Sequence, residues 1–281
     1  MPSFDTSGPI SVVSHVEAGS IRFTAADRFD ATVDVQPRDP KKDQDVRAAQ
    51  QTEVGLAGNV LIIRTPKSRT SLRRPGVVDV TVGLPTGSGV ELTGAWTQVL
   101  GEGRLGEVRV KTSSGDVRLD TTGPLSLIAS HGSITVERVE GSAEITTSSG
   151  SLRVGEVGGS AVLKNSHGTT VVGAAGGELR VSGANGDIDI RLAEDSVFAA
   201  TAHGTLRVGE VARGEVQLET SYGAIEVGIR RGTAAWLDVH SANGQVRNML
   251  SSTEAPEQPE ETVRIHARTR YGNIDVLRAR G

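Results

Sequence analysis

Three histidines recur at the same place in a repeated motif. His131, His167 and His203 each precede a glycine, and they fall in every second copy of the motif. Imidazole is a common metal ligand, so evenly spaced histidines could form a metal site. If each copy adds one layer of strands, alternate copies lie ~9.6 Å apart. Because the ligands of one zinc ion lie ~2 Å from the metal, we predict that these histidines share no metal ion.

The position before the glycine carries a wider polar series. Ser, Asn, His and Tyr occur there, and Asn and His tolerate the left-handed backbone of tight turns. One interpretation is therefore turn geometry with solvent exposure. The alternative is a recognition strip along one edge of the protein, formed by His131, His167, His203, Tyr222 and Tyr271.

Two carboxylates could act as a glycosidase pair. Asp187 and Asp189 face the same side of a predicted strand, about 6 to 7 Å apart, a separation that glycosidases use. No sugar-stacking aromatic residue lies near them in the sequence. The glycines lack the spacing and the lysine of a phosphate loop, and no serine lies in a GxSxG turn. We therefore predict no catalytic residue, no cofactor and no enzymatic activity.

All of these residues belong to a motif of strand, glycine turn and strand that occurs nine times between Val108 and Val276. Most copies are 17 to 19 residues apart. A fixed period of this size in a β-patterned, glycine-rich chain is typical of a β-solenoid. The marker glycines are Gly115, Gly132, Gly150, Gly168, Gly186, Gly204, Gly223, Gly244 and Gly272.

Alternating positions of the motif predict which side chains face inward. The residues two and four after each marker glycine, and five and seven before it, are mostly Val, Ile, Leu or Ala. Strand side chains alternate between faces, so both sets point into one core. The residue three before the glycine is mostly hydroxylic, and we expect it to hydrogen-bond to turn backbone. The residue three after the glycine is expected to face outward. If the coils stack in chain order, these outward residues form a ladder of alternating charge through Asp189, Arg207, Glu226, Arg247 and Asp275.

The N-terminal part of the chain does not repeat, and we expect it to cap the solenoid. Asp39-Pro40 precedes a run of good helix formers, which predicts a short helix near residues 41–50. The predicted fold class is an all-β, single-stranded β-solenoid of about nine coils of ~18 residues with an N-terminal β-rich cap. The predicted segments are a tail (1–9), the cap (10–95), the repeats (96–249), an acidic loop with two prolines (250–262) and the last coil with the C-terminus (263–281).

Further features of the chain each allow two interpretations. The basic segment from Arg64 to Arg74 is a solvated hairpin connection or an anion contact. Trp96 is expected to be buried where the cap meets the first coil, and Trp236 to lie outside the core near the acidic loop, with a ligand contact as the alternative. The candidate strands of the cap are Ile21–Phe23, Ala31–Val35, Asn59–Arg64 and Val77–Val82.

The composition excludes several classes of function. A net charge of −4 gives no general attraction to nucleic acid or to anionic membranes. The chain has no cysteine, so disulfides, thiolate catalysis and cysteine metal sites are excluded. Neither a signal peptide nor an apolar run of membrane-spanning length is present, so a cytoplasmic location is expected, with export by a signal-less route left open.

The repeats resemble a known bacterial family. The motifs SSGDVRL, SHGSITV, SSGSLRV, ANGDIDI and RYGNIDV, with the preceding Leu84-Pro85 step, are similar to the β-strand-repeat family called "putative adhesin", a domain of unknown function. The resemblance extends from about Ile10 to Val276. It implies a β-solenoid and brings no catalytic residue to this chain.

These observations favour a non-enzymatic, adhesin-like β-solenoid that offers a rigid surface for protein binding. One alternative is a cytoplasmic scaffold that assembles end to end, because the C-terminal coil lacks an obvious cap. The other is a polysaccharide-binding or polysaccharide-cleaving β-helix, which the acidic pair suggests. A protein partner or self-association is expected in the first two cases, without nucleic acid or a membrane span.

Overall fold

The computed structural model of the protein describes residues 2–66, 75–250 and 261–279. In these ranges the chain is all-β with one short helix. It divides into two compact units, an N-terminal unit of Met1–Glu140 and a C-terminal unit of Gly141–Gly281.

The N-terminal unit holds eleven of the strands and the helix α1 (Asp43–Gln50). The strands are β1 (Ser3–Asp5), β2 (Ser11–Ala26), β3 (Asp30–Pro37), β4 (Glu53–Ala57), β5 (Val60–Arg64), β6 (Val78–Pro85), β7 (Gly89–Arg104), β8 (Val108–Ser114), β9 (Val117–Thr122), β10 (Leu125–His131) and β11 (Ile134–Val139).

The C-terminal unit is built from strands throughout its described part. These are β12 (Ala143–Ser149), β13 (Leu152–Val157), β14 (Ala161–His167), β15 (Thr170–Ala175), β16 (Leu179–Asn185), β17 (Ile188–Ala193), β18 (Val197–His203), β19 (Leu206–Val211), β20 (Gly214–Tyr222), β21 (Ile225–Ile229), β22 (Ala234–Asn243), β23 (Val246–Asn248), β24 (Thr262–Tyr271) and β25 (Ile274–Arg278).

The repeat pairing begins earlier in the chain than the sequence motif does. The two long strands β2 and β7 pair in parallel from Ser11 with Gly89 to Thr24 with Glu102. β7 in turn pairs in parallel with β8 and β9, which pair with β10 and β11. The predicted boundary between residues 95 and 96 therefore falls inside β7.

The N-terminal end of this unit is covered by the remaining elements. β5 and β6 pair with β2 on the side opposite β7. β4, β3 and β1 extend the sheet with antiparallel pairs, and α1 lies against β3 and β6. The buried carboxylate of Asp45 accepts a hydrogen bond from the backbone N–H of Val77 at 2.8 Å. The first coil is thus capped.

The structure confirms one prediction for this region and corrects another. The predicted helix near residues 41–50 is confirmed as Asp43–Gln50. The prediction of a loose tail over residues 1–9 is wrong, because Ser3–Asp5 pairs with β3. The basic segment lies outside the described residues beyond Pro66.

Successive repeats of the C-terminal unit stack in register. From β12 to β21, each strand before a marker glycine pairs in parallel with its counterpart in the next repeat, and so does each strand after it. One buried row, for example, contains Ile145, Leu163 and Val181, which lie side by side in the paired strands β12, β14 and β16. The predicted inward rows are confirmed here. Each further repeat therefore extends one continuous apolar core.

The last two coils are not stacked in chain order. β24 lies between β20 and β22, and β25 lies between β21 and β23. The chain thus skips one layer after β21, forms the outer coil from β22 and β23, and returns to fill the gap with β24 and β25. The predicted charge ladder is wrong at this end, since Glu226 has Asp275 rather than Arg247 as its neighbour. Arg247 instead lies beyond Asp275, with Nη1 3.9 Å from Oδ1.

Most hydroxyls of the hydroxylic row hydrogen-bond to turn backbone, as predicted, whereas the buried Oγ1 of Thr147 has no partner among the described residues. The hydroxyls of Thr220, Thr269 and Ser241 donate to the carbonyl oxygens of the preceding layer or the next one, at 2.8 to 3.2 Å. Asn165 replaces a hydroxyl in this row, and its Nδ2 donates to the carbonyls of Gly150 and Gly168 at 3.1 Å. The row therefore satisfies buried polar groups of the turns.

The two tryptophans are both exposed. The prediction that Trp96 is buried is wrong, because its side chain is 58% exposed. Trp96 lies beside Ser114 in the row before the marker glycine, and buried Thr97 takes the place of the glycine. Trp236 lies outside the core, as predicted, with an exposed fraction of 72%.

An ion cluster on the C-terminal unit gives a pH-dependent contribution to stability. Arg230 donates to both carboxylate oxygens of Glu194, at 2.7 and 2.9 Å, and also contacts Glu210. These hydrogen bonds from Arg230 hold the pKa of the Glu194 carboxyl below its usual value of 4.5. A carboxyl whose pKa is lower in the folded protein stabilises the fold at pH values above its pKa in the unfolded chain. This contribution is lost as the pH falls through the pKa of the folded state.

We expect Arg230→Gln to lower the free energy of unfolding at about pH 6 and to have less effect at about pH 2, because protonation of Glu194 removes the stabilising contribution as the pH falls through its folded pKa. The loss in free energy of unfolding should differ between the two pH values by a few tenths of a kcal/mol, because the Glu194 carboxylate is partly exposed and therefore screened by solvent. Urea titrations of both proteins at the two pH values measure it. An equal loss at both would contradict the assignment.

Candidate functional site

The row before the marker glycines forms one edge of the C-terminal unit, which we call the turn-edge strip. The register of the strands sets its order in space as His167, Asn185, His203, Tyr222, Tyr271 and Asn243. Each residue ends its strand just before the turn. His131 occupies the same position in the N-terminal unit, beside Ser114.

Three rings of the strip stack on one another. The ring centroids of His203 and Tyr222 are 5.0 Å apart with an interplanar angle of 3°, and those of Tyr222 and Tyr271 are 5.0 Å apart at 5°. The two tyrosines are about half exposed, at 51% and 49%. The layer spacing of the strands holds the rings face to face, so their edges point to solvent.

The structure brings together only part of the predicted recognition strip. His203, Tyr222 and Tyr271 form the stack, whereas His167 is separated from His203 by Asn185. The Nδ1 atom of His167 lies 3.3 Å from the carbonyl oxygen of Ser148. At the other end of the stack, Asn243 lies beside Tyr271 and donates from Nδ2 to the carbonyl of Arg270 at 3.2 Å.

Turn geometry does not account for the residues of the strip. No residue other than glycine has a positive φ in the described part of the chain. The left-handed backbone falls on eight of the nine marker glycines themselves, such as Gly204 at φ +147°. A Cβ there would lie 2.1 Å from the carbonyl oxygen of Gly186. The interpretation that His and Asn were placed before the glycine for left-handed geometry is therefore wrong.

Asp187, one member of the acidic pair, takes part in the architecture of the turns. Its Oδ1 accepts a hydrogen bond from the backbone N–H of Thr205 in the next layer at 2.7 Å. Asp116 does the same for Ser133 at 2.8 Å, and Asn273 for Gln245 at 3.0 Å. This role was not predicted, although its signal was present in the sequence as a mostly polar series directly after the marker glycines.

A cavity of about 560 Å³ lies on the N-terminal unit, and of the residues singled out in the sequence it includes the start of the basic segment, at Arg64. His15 lies in it beside Glu53, Arg64 and Thr93. Its Nδ1 is 3.0 Å from Oγ1 of Thr93, and its Nε2 is 3.2 Å from a carboxylate oxygen of Glu17. The contact of Nδ1 with Thr93 therefore orients the ring, whereas Nε2 has the Glu17 carboxylate nearby but no hydrogen bond among the described residues.

The described residues contain neither a metal cluster nor a membrane-spanning helix. Across the described ranges, no group of three or more His, Asp or Glu side chains is placed to hold a metal ion. None of the helices in the part of the chain described is long and apolar enough to cross a membrane.

Comparisons with known proteins give likenesses in structure. No family model and no curated protein matches the chain. The chain is similar to solved structures that are named "putative adhesin". One, from Bacteroides fragilis, is 14% identical over 98% of this chain and 95% of its own, with a TM-score of 0.39. A second, from Parabacteroides distasonis, is 17% identical over 81% of this chain and 95% of its own, with a TM-score of 0.47. A third, from Parabacteroides merdae, is 13% identical over 81% of this chain and 94% of its own, with a TM-score of 0.44.

Proposed function

We propose that this protein is a non-enzymatic, adhesin-like binding protein, and that its turn-edge strip contacts a protein partner. In this proposal the repeats form one β-solenoid of about nine coils, as the period of the motif predicts. The observation that carries the proposal is the exposed stack of His203, Tyr222 and Tyr271.

The stack has the properties of a preorganised protein-binding surface. β18, β20 and β24 hold the three rings in register, so binding would cost little side-chain entropy. Tyrosine is enriched at protein interfaces and among the residues that dominate their binding energy. The tyrosine hydroxyls and the imidazole nitrogens add hydrogen-bonding groups along the exposed edge.

The same geometry disfavours a carbohydrate platform. A sugar packs on the face of an aromatic ring, whereas both faces of Tyr222 are covered by His203 and Tyr271. The outer faces of these two rings point along the strip toward Asn185 and Asn243. The strip therefore offers ring edges rather than ring faces.

We expect the double variant Tyr222→Ser/Tyr271→Ser to bind the partner about 30-fold more weakly or worse, since truncating one central tyrosine of an interface can remove about 2 kcal/mol. A photo-crosslinking amino acid in place of Ser221 would first identify the partner in cells of the source organism. Calorimetry with the purified partner would then compare the wild type with the variant. Far-UV circular dichroism should remain unchanged, because both side chains lie outside the core.

Gln217→Ser is the matched control, because Gln217 is exposed on the flat face of the same strand β20. It should leave the affinity unchanged. Equal binding by all three proteins would exclude the strip. A soluble glycan that binds the wild type and not the double variant would favour the polysaccharide-binding alternative instead.

A further inference from the structure

The outer coil of the C-terminal unit has one uncovered side. Among the described residues, β22 pairs with β24 alone and β23 with β25 alone. Leu237 and Val239 are only half-buried, whereas their neighbours in the next layer, Ile265 and Ala267, are at most 1% exposed. The apolar core is therefore open at this end.

The uncovered side also has free backbone groups. The N–H of Ala234 donates to the carbonyl of Glu261, the residue before Thr262, which is the partner of Ala234 in β24. Because backbone groups of a parallel strand alternate between its two neighbours, those of Leu237, Val239 and Ser241 face the open side. Such an edge is a template for pairing with another strand.

We propose that a second copy of this chain covers the open coil, with β22 of each copy paired antiparallel across a two-fold axis at Val239. A two-fold arrangement uses the same edge from both copies. Head-to-tail stacking would need an open coil at the opposite end of the chain as well. In the N-terminal unit, however, β2 has strands on both sides.

The side chains of β22 fit this register. When Val239 of one copy lies opposite Val239 of the other, residues whose numbers sum to 478 face each other across the axis, as antiparallel pairing requires. Asp238 then faces His240, and the large Trp236 faces the small Ala242. Each of these pairs occurs twice. A register centred on Asp238 would instead place two carboxylates opposite each other, which is unfavourable.

A dimer of this kind differs from the end-to-end scaffold that the sequence left open. The C-terminal coil of β24 and β25 has neighbours on both sides and has no free edge. The free edge belongs to the coil of Gly244. Among the described residues of the C-terminal unit, the coil of β22 and β23 is the one open coil, and a single open coil per chain gives a closed dimer rather than a growing scaffold. The dimer does not depend on the turn-edge strip.

Engineered cysteines test the proposal directly, because the native chain has none. Val239→Cys places two thiols opposite each other at the axis, at a Cα separation of ~5.5 Å that a disulfide can bridge. We expect most of this variant to become a covalent dimer on mild oxidation at micromolar concentration. Ser182→Cys, exposed on β16 away from the open end, should remain monomeric on a non-reducing gel.

Sedimentation velocity of the native chain over a range of concentrations gives the second measurement. We expect a monomer–dimer equilibrium, and we expect His240→Glu to weaken it about tenfold by setting two pairs of carboxylates opposite each other. Ser182→Glu, next to Lys164, should not weaken it.

Three outcomes would overturn the proposal. The first is a wild-type chain that stays monomeric at every concentration, with Val239→Cys no faster to cross-link than Ser182→Cys. The second is growth into species larger than a dimer. The third is a monomeric wild type that dimerises only when residues 251–260 are replaced by a Gly-Ser linker, which would make that segment the occupant.

Discussion

Replacing Gly168 with alanine is expected to lower the free energy of unfolding of the protein by about 3 kcal/mol or more, because backbone strain and a backbone clash act together. Gly168 has a φ of +128°, which an L-residue with a side chain rarely adopts. An added Cβ would also lie 2.2 Å from the carbonyl oxygen of Gly150 in the layer below. Neither the added Cβ nor the carbonyl oxygen of Gly150 can move away without separating two paired layers. Urea denaturation followed by circular dichroism measures the loss.

Gly232→Ala is the control that separates the two causes. Gly232 lies in the same unit and has a φ of +86°, but a Cβ added there would have no heavy atom within 4 Å. Only the backbone strain remains, and we expect a loss of about 1 to 2 kcal/mol. Equal losses in the two variants would show that the approach of the layers at Gly168 has no energetic consequence.

The repeat register could be predicted from the sequence because one physical cause acts at every coil. Nearly every turn has a glycine where its backbone contacts the layer below, and each strand must alternate apolar and polar residues to share one core. Ile145 and Leu163 are buried for this reason. A prediction supported by many equivalent positions survives an exception such as Asn165 in the hydroxylic row.

The start of the repeat pairing was missed because the coil of β7 lacks the marker, although Gly19 holds that position in β2 with a φ of +132°. Thr97 stands where later coils have glycine, and it is buried beside the carbonyl of Val16, to which its hydroxyl donates at 2.5 Å. A search for the glycine motif therefore begins one coil too late. The same shift explains Trp96, which was assigned to a junction and in fact lies in the exposed row before the turn.

The order of the last two coils could not be read from the motif, because both coils satisfy it. Chain order is the natural assumption, and it places Asn243 between the two tyrosines. The structure instead places Tyr222 directly beside Tyr271. The ring stack of the candidate site was therefore out of reach of sequence reasoning, although every residue in it had been named. The long interval between Gly244 and Gly272 was the one signal that the chain could return past a coil.

A pair of cysteines at Glu226 and Asp275 is expected to form an intramolecular disulfide almost completely, and a pair at Glu226 and Arg247 is expected to form none. Glu226 and Asp275 are direct partners in β21 and β25, so their Cα atoms are separated by one layer, ~4.8 Å. Disulfides span Cα distances of ~4.4 to 6.8 Å. Arg247 is the partner of Asp275 on its far side, two layers from Glu226 at ~9.6 Å.

The two double variants discriminate between the coil orders because each order predicts the opposite result. Stacking in chain order would make Glu226 and Arg247 neighbours and would separate Glu226 from Asp275. Peptide mapping after mild oxidation identifies the bond, and the cysteine-free background leaves no competing thiol. A disulfide between positions 226 and 247 would restore the alternating charge ladder and place the free edge on the C-terminal coil. It would also separate the two tyrosines, so the candidate site and the dimer edge both depend on this one comparison.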